Sequence, residues 1–438
     1  MVLKRFFQFL NIFDNRFEDL NKKNWKLTVY RDFSAGLIVA MTAIPMAMGF
    51  AIASGLRPEQ GIIAGALACL IGRTFGGSKY QVYGPTAAFI PLIYSIMQNY
   101  EHSFLVLVSI VAGIILMIMG LAGLGKIVKL VPESIVVGFT VGIGISIAMA
   151  NVGDAFGYRS EIQGNLFEKL TAIGNSLDEF NIYALILALL TFVITKVLLK
   201  ISIFIPAPII AIGTTTLLSL TAFSQANITY VRDKFGTIPH DFFIFTPPSF
   251  PTITPQVLFD ILYYVVAIVF ISAIESLLCS SMADKLAENK KTPFNPDKEF
   301  WGQGLVQILT PLVNGFPCTG ALARTATSIK AGAVTPLAGY FKGILKLVMA
   351  YFVAQYLEHI PMACIAGILI WVATNMVNIT EVRRVAAHGR FHLLLMVYTA
   401  VMVPMTDFLS GVLSALMLYG VTMFFNKNLT KHKHRVKI

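Results

Sequence analysis

Residues 255–287 read PQVLFDILYYVVAIVFISAIESLLCSSMADKLA. From Ile261 to Ala283 the stretch runs 23 residues with one ionisable side chain of consequence, Glu275. A helix needs about 20 apolar residues to cross a bilayer, so this segment is long enough. A carboxylate set well inside such a run is costly to insert, and its default reading is functional. The plain alternative is a buried polar residue tied to a neighbouring helix.

The rest of the chain has the same character. Of 438 residues 56% are hydrophobic and only 13% charged, and the mean hydropathy is +0.72. A soluble domain carries about 25% charged residues, so the composition places this chain in lipid. Fourteen apolar runs follow one another, at about 32–55, 61–76, 84–98, 103–123, 133–152, 181–199, 204–223, 256–283, 300–314, 319–332, 336–356, 361–377, 391–405 and 407–425. The fold class expected is an all-α polytopic membrane protein. Residues 1–31 form a charged, amphipathic segment without a cleavage site, expected to lie at the cytoplasmic interface. A transport domain would fill 32–425, with 426–438 left as a short basic tail.

The runs at 84–98 and 319–332 are too short to cross alone. Each follows a Gly/Pro/Thr cluster, Tyr83-Gly84-Pro85-Thr86 and Gly315-Phe316-Pro317-Cys318-Thr319-Gly320. Broken hydrophobic segments at matching places in two halves point to a transporter's binding site. Thr42-Ala43-Ile44-Pro45 aligns with Ser272-Ala273-Ile274-Glu275 at an offset of 230, and Thr86 with Thr319 at 233. Two features with nearly one offset suggest repeats over about 32–223 and 256–425. Seven spans in each would make the second inverted.

With both termini in the cytoplasm, 29 of the 34 Lys and Arg fall on the inner side or at inner helix ends, and Arg57, Arg159, Lys169, Arg232 and Lys234 stay outside. That bias satisfies the positive-inside rule for a cell inner (plasma) membrane protein. It also accounts for the net charge of +11 without nucleic acid, since the cations face lipid headgroups. The segment 224–255 reads as an ordered external loop.

A half-helix starting at the membrane midplane aims free N–H groups and a partial positive charge at whatever precedes it. Two such starts facing each other make an anion site without Lys or Arg. The candidate substrate contacts are Thr86, Ala87, Ala88, Gly320, Ala321 and Leu322, with Pro45 breaking its helix opposite Glu275. Glu275 then carries a proton or neighbours a bound cation. Ser276 and Cys279 are the residues beside it that could share a coupling H+ or Na+, although a thiol is a poor ligand for a hard cation. Arg324 reads more readily as an interfacial anchor than as an anion contact. Phe50, Phe89 and Phe270 read as packing. The four cysteines show no CxxC spacing and the seven histidines no ligand spacing, so no cofactor and no metal is expected. An enzyme would need a nucleophile with its base, or a metal cluster, at depth; Ser276 and Ser280 have no His within sequence reach.

The sequence resembles the SulP (sulfate permease) family of anion transporters, which includes the solute-carrier-26 exchangers and the cyanobacterial bicarbonate transporters. The resemblance is carried by DFSAGLIVAMTAIPMAMGFAIASGL (32–56), VYGPTAAF (82–89), LVPESIVVGFTVGIGI (130–145), AIESLLCSSMAD (273–284) and NGFPCTGALARTATSIKAG (314–332), in the family's order. It implies fourteen helices in two inverted repeats of seven. A core of spans one to four and eight to eleven would rock against a gate, with the site between half-helices 3 and 10 and their short β-like lead-ins. The family's acidic position falls on Glu275. Members usually continue into a cytoplasmic STAS domain, whereas this chain ends about a dozen residues after its last run; a homodimer through the membrane region remains compatible. The expected function is secondary active transport of a small anion of the sulfate, bicarbonate or dicarboxylate class. The alternative is a permease of the same fold for a nucleobase or small organic cation.

Overall fold

Each of the fourteen apolar runs coincides with a helix. In chain order these are α1 (Trp25–Ala53), α2 (Pro58–Phe75), α3 (Ile90–Asn99), α4 (His102–Ala122), α5 (Glu133–Phe156), α6 (Ile182–Ile201) and α7 (Ala207–Thr221). The second half holds α8 (Pro255–Leu286), α9 (Pro296–Leu312), α10 (Leu322–Lys330), α11 (Leu337–Leu357), α12 (Met362–Met376), α13 (Arg390–Met405) and α14 (Phe408–Arg435). The computed structural model describes residues 2–21, 24–126, 132–159, 166–239, 243–406 and 408–435. Leu130 and Val131 of the quoted family stretch, part of the external loop and the last three residues of the basic tail lie outside the described residues.

Seven described helices are long and apolar enough to cross a membrane: α1, α4, α5, α6, α8, α11, and α12 with the short helix after it. Their outward faces carry bare apolar side chains, such as Leu189 and Val193 on α6, Phe259 and Leu262 on α8, and Tyr351 and Phe352 on α11. In water such a surface would aggregate; against acyl chains it costs nothing.

Packing sorts the helices into two groups. One joins α4 with α9, α11 with α1 and α2, α9 with α2, and α8 with α4. The other joins α5 with α12 and α13, α6 with α12 and α7, and α13 with α14. The pairings exchange when helix numbers shift by seven: α4–α9 becomes α11–α2, α8–α4 becomes α1–α11, and α5–α13 becomes α12–α6.

Small residues let the first group close up. A Cβ on Gly61 of α2 would stand 1.9 Å from the Ala47 carbonyl oxygen of α1. Backbone on backbone leaves no side chain to swing away, so Gly61→Val must push the helices apart. Overpacking of this kind costs about 1–3 kcal/mol, and a thermal melt in detergent should show a lower midpoint for the variant.

The N-terminal segment is docked rather than loose. Phe6 packs edge-on against Trp301 at 5.6 Å. Arg16 donates to the carbonyls of Arg73 and Thr74 at 3.1 and 3.2 Å. Asp14 bonds Arg16 and Lys298, each at 2.7 Å. Burial presses the Asp14 carboxyl upward, but Arg16 and Lys298 hold it below the ordinary carboxylate range.

Candidate functional site between two broken helices

Both Gly/Pro/Thr clusters interrupt the helical path. Tyr83–Gly84 forms β1 and Thr319–Gly320 forms β2, paired antiparallel with Tyr83 opposite Gly320 and Gly84 opposite Thr319. Val82 extends the clamp: its carbonyl accepts from the Ala321 amide at 2.8 Å, and its N–H donates to Thr325 Oγ1 at 2.8 Å. Proline ends the ladder, because Pro85 has no N–H to offer. Gly84 has φ +155, a backbone that favours glycine, and a Cβ there would stand 2.9 Å from Arg324 Nη1 and displace the guanidinium.

After each strand a short helix begins. Thr86 is extended, a 3₁₀ turn covers Ala87–Phe89, and α3 follows with 10 residues. α10 has 9 residues. At 1.5 Å per residue, neither exceeds about 15 Å, half of a bilayer core. Thr86 occupies the N-cap position but makes no side-chain cap. Its hydroxyl instead donates to Glu275 Oε2 at 2.8 Å. The first N–H groups of the turn are thus left without a side-chain acceptor.

The structure brings Thr86, Glu275 and the Ala87–Ala88 turn together. It separates the other residues named from the sequence. The Ala321 amide is spent on Val82 and is not a free donor. Gly320 backs onto Gln81, whose side chain lies 2.5 Å from where a Cβ would sit. Leu322 is 41% exposed at the start of α10. Pro45 is buried within α1. Ser276 turns away from Glu275, donating to Glu299 Oε1 at 2.5 Å, and Cys279 Sγ meets Thr325 Oγ1 at 3.3 Å. Helical spacing explains the split: Ser272, Ser276 and Ser280 share one face of α8, while Glu275 and Cys279 share another.

Several residues at the site carried no motif. Glu299 on α9 is fully buried and accepts from the Gly77 and Ser78 amides, Gln81 Nε2, Tyr83 Oη and Ser276 Oγ, at 2.5–3.1 Å. Ser280 Oγ donates to Gln81 Oε1 at 2.5 Å. This network holds the β1 lead-in against α8 and α9. Arg324 corrects the expectation of an interfacial anchor. It is 4% exposed, Nη2 donates to the Pro85 carbonyl, and Nη1 has no hydrogen-bond partner among the described residues. It is also a cation within electrostatic reach of Glu275. Lys342 and Lys346 are buried too, as are Arg73 and Lys79, so several of the cations assigned to the inner side are interior. For Lys342 and Lys346 the only sequence signal is a mid-run position in α11.

A cavity of about 520 Å³ lies between α1 and α3 on one side and α5 and α13 on the other, reaching from Ile90 past Tyr94 and Asn151 to Arg159, Lys169 and Lys234. It stops short of Thr86 and Glu275. Among the described residues, no group of three or more His, Cys, Asp or Glu could hold a metal ion.

The sulfate permease family pattern matches residues 29–399. The chain belongs to the sulfate permease family. YvdB of Bacillus subtilis (strain 168), named as a candidate sulfate transporter, is 33% identical over 420 residues, covering 96% of this chain and 77% of YvdB. The transmembrane domain of the cyanobacterial bicarbonate transporter BicA superposes with a TM-score of 0.78 at 24% identity, over 88% of this chain and 97% of that one. The murine solute carrier 26 family member A9 anion transporter, in its inward-facing state, gives 0.83 at 17% identity, over 97% and 72%. This sulfate permease family member is thus an all-α multi-pass membrane protein of a transporter family, not an enzyme.

Proposed function

We propose that this chain is a secondary active transporter of a small anion of the sulfate, bicarbonate or dicarboxylate class. The anion sits between half-helices α3 and α10, and access alternates as the α1–α4/α8–α11 group rocks against the α5–α7/α12–α14 group in two inverted repeats. The observation that carries this is the paired pair of broken helices with Arg324 between them. Amide ends and a guanidinium lacking a carboxylate bond suit a negative ligand. Glu275, bonded to Thr86 at the same spot, is the coupling residue for a proton or cation. An organic cation fits less well, since Arg324 stands where it would bind. The protein lies in the plasma membrane with both termini cytoplasmic.

Purified protein in liposomes should accumulate labelled sulfate, bicarbonate or a dicarboxylate under a proton or sodium gradient. Failure with every anion and both gradients overturns the reading. Binding is testable without a gradient: an anion at 100 times its Kd should stabilise the detergent-solubilised protein by about 2.7 kcal/mol.

A further inference from the structure

Two lysines in α11 stand out among the buried groups. Lys342 and Lys346 lie one helical turn apart and are 1% and 0% exposed. Lys342 Nζ donates to the carbonyls of Gly65 at 2.7 Å and Tyr83 at 3.0 Å, and Lys346 Nζ to that of Gly61 at 3.2 Å. No carboxylate of the described residues bonds either ammonium. Uncompensated charge inside a membrane protein is expensive and rarely kept without use. The carbonyls do not demand it. Those of Gly61 and Gly65 lie within α2, where the helix itself supplies donors.

Both ammoniums converge on the turn that begins half-helix α3. A Cβ added at Gly65 would meet Lys346 Nζ at 2.2 Å and Pro85 Cδ at 3.2 Å, so the ammonium and the proline ring flank one glycine. Arg324 bonds the Pro85 carbonyl from its own side. Three cations therefore surround Tyr83–Gly84–Pro85, immediately before Thr86, whose hydroxyl bonds Glu275; of the three, Arg324 is the one that acts on that carboxylate. Other acids nearby are committed. Glu299 sits at the hydroxyl end of Tyr83, away from the carbonyl that Lys342 bonds, and holds five donors. Asp32 accepts from the Val334 and Thr335 amides and the Thr335 hydroxyl.

We propose that Lys342 and Lys346 determine the charge class of the transported anion, favouring a doubly charged oxyanion over a singly charged one. The three cations outnumber the one carboxylate bonded at Thr86, and a dianion offsets more of that excess than a monoanion does. In a water-poor interior the second charge on the ligand is felt over several ångströms. The assignment rests on the anion-transport reading above.

The test compares kcat/KM for labelled sulfate and labelled nitrate in liposomes. Wild type should prefer sulfate, and Lys342→Gln or Lys346→Gln should each lower the sulfate/nitrate ratio by about tenfold, with Lys→Arg keeping it. A purely structural role predicts equal losses for both anions, and an unmoved ratio or a nitrate-preferring wild type overturns the assignment alone. A wild type that moves no anion overturns the transport reading and this assignment with it. If a Gln variant does not fold, thermal shifts of wild type with sulfate and nitrate at matched ionic strength read the same preference, and equal shifts overturn it.

Discussion

Glu299→Ala is expected to destabilise the protein by about 3 kcal/mol or more and to abolish transport. The carboxylate is wholly buried and gathers donors from three places: the Gly77–Ser78 backbone, the Gln81 and Tyr83 side chains of the β1 lead-in, and Ser276 of α8. Alanine would strand these donors together, and each unsatisfied buried group costs about 1–3 kcal/mol. The lead-in positions Pro85 and Thr86, so its release should disorder the start of α3 as well. Glu299→Gln keeps the shape and one acceptor oxygen but brings an NH2 into a pocket built of donors, so an intermediate loss is expected. Thermal unfolding in detergent, with transport in liposomes beside it, measures both effects. An alanine variant as stable as wild type would show that the network does not hold the lead-in.

Glu275→Gln is expected to leave anion exchange intact while removing concentrative uptake. Glutamine retains an oxygen for the Thr86 hydroxyl, so the bond at 2.8 Å can persist. It cannot gain or lose a proton. If one proton accompanies each anion, a gradient of one pH unit supports about tenfold accumulation, which the variant should lose entirely. Counterflow of labelled against unlabelled anion, needing no gradient, should continue. Undiminished accumulation in the variant would remove Glu275 from the coupling role. Loss of binding altogether would favour direct contact between the carboxylate and a cationic substrate.

Much of the architecture is legible in the residues because membrane insertion imposes a one-dimensional rule. Apolar runs such as 256–283 and 103–123 must become helices, since no other open structure satisfies its backbone in lipid. The Gly/Pro/Thr clusters at 83–86 and 315–320 mark where the helices break, because glycine and proline change the backbone whatever surrounds them. Glu275 is visible for the same reason, as a charge in an apolar run.

Hydropathy and backbone chemistry alone thus specify the set of spans, the two interruptions and the one conspicuous acid. Which donors stay free depends on how distant segments pack. The Ala321 amide is consumed by Val82, a residue 239 positions away in the chain, and no local pattern carries that information. Arg324 looks like a helix-end anchor, and Lys342 and Lys346 show only as cations within an apolar run, until α2 and the β1 turn close over them. Glu299 sits in the first turn of α9 beside Asp297 and Lys298, where a carboxylate is ordinary. Helix periodicity fixes which face a side chain occupies, but only the packing partner decides whether that face meets lipid, water or an unpaired charge.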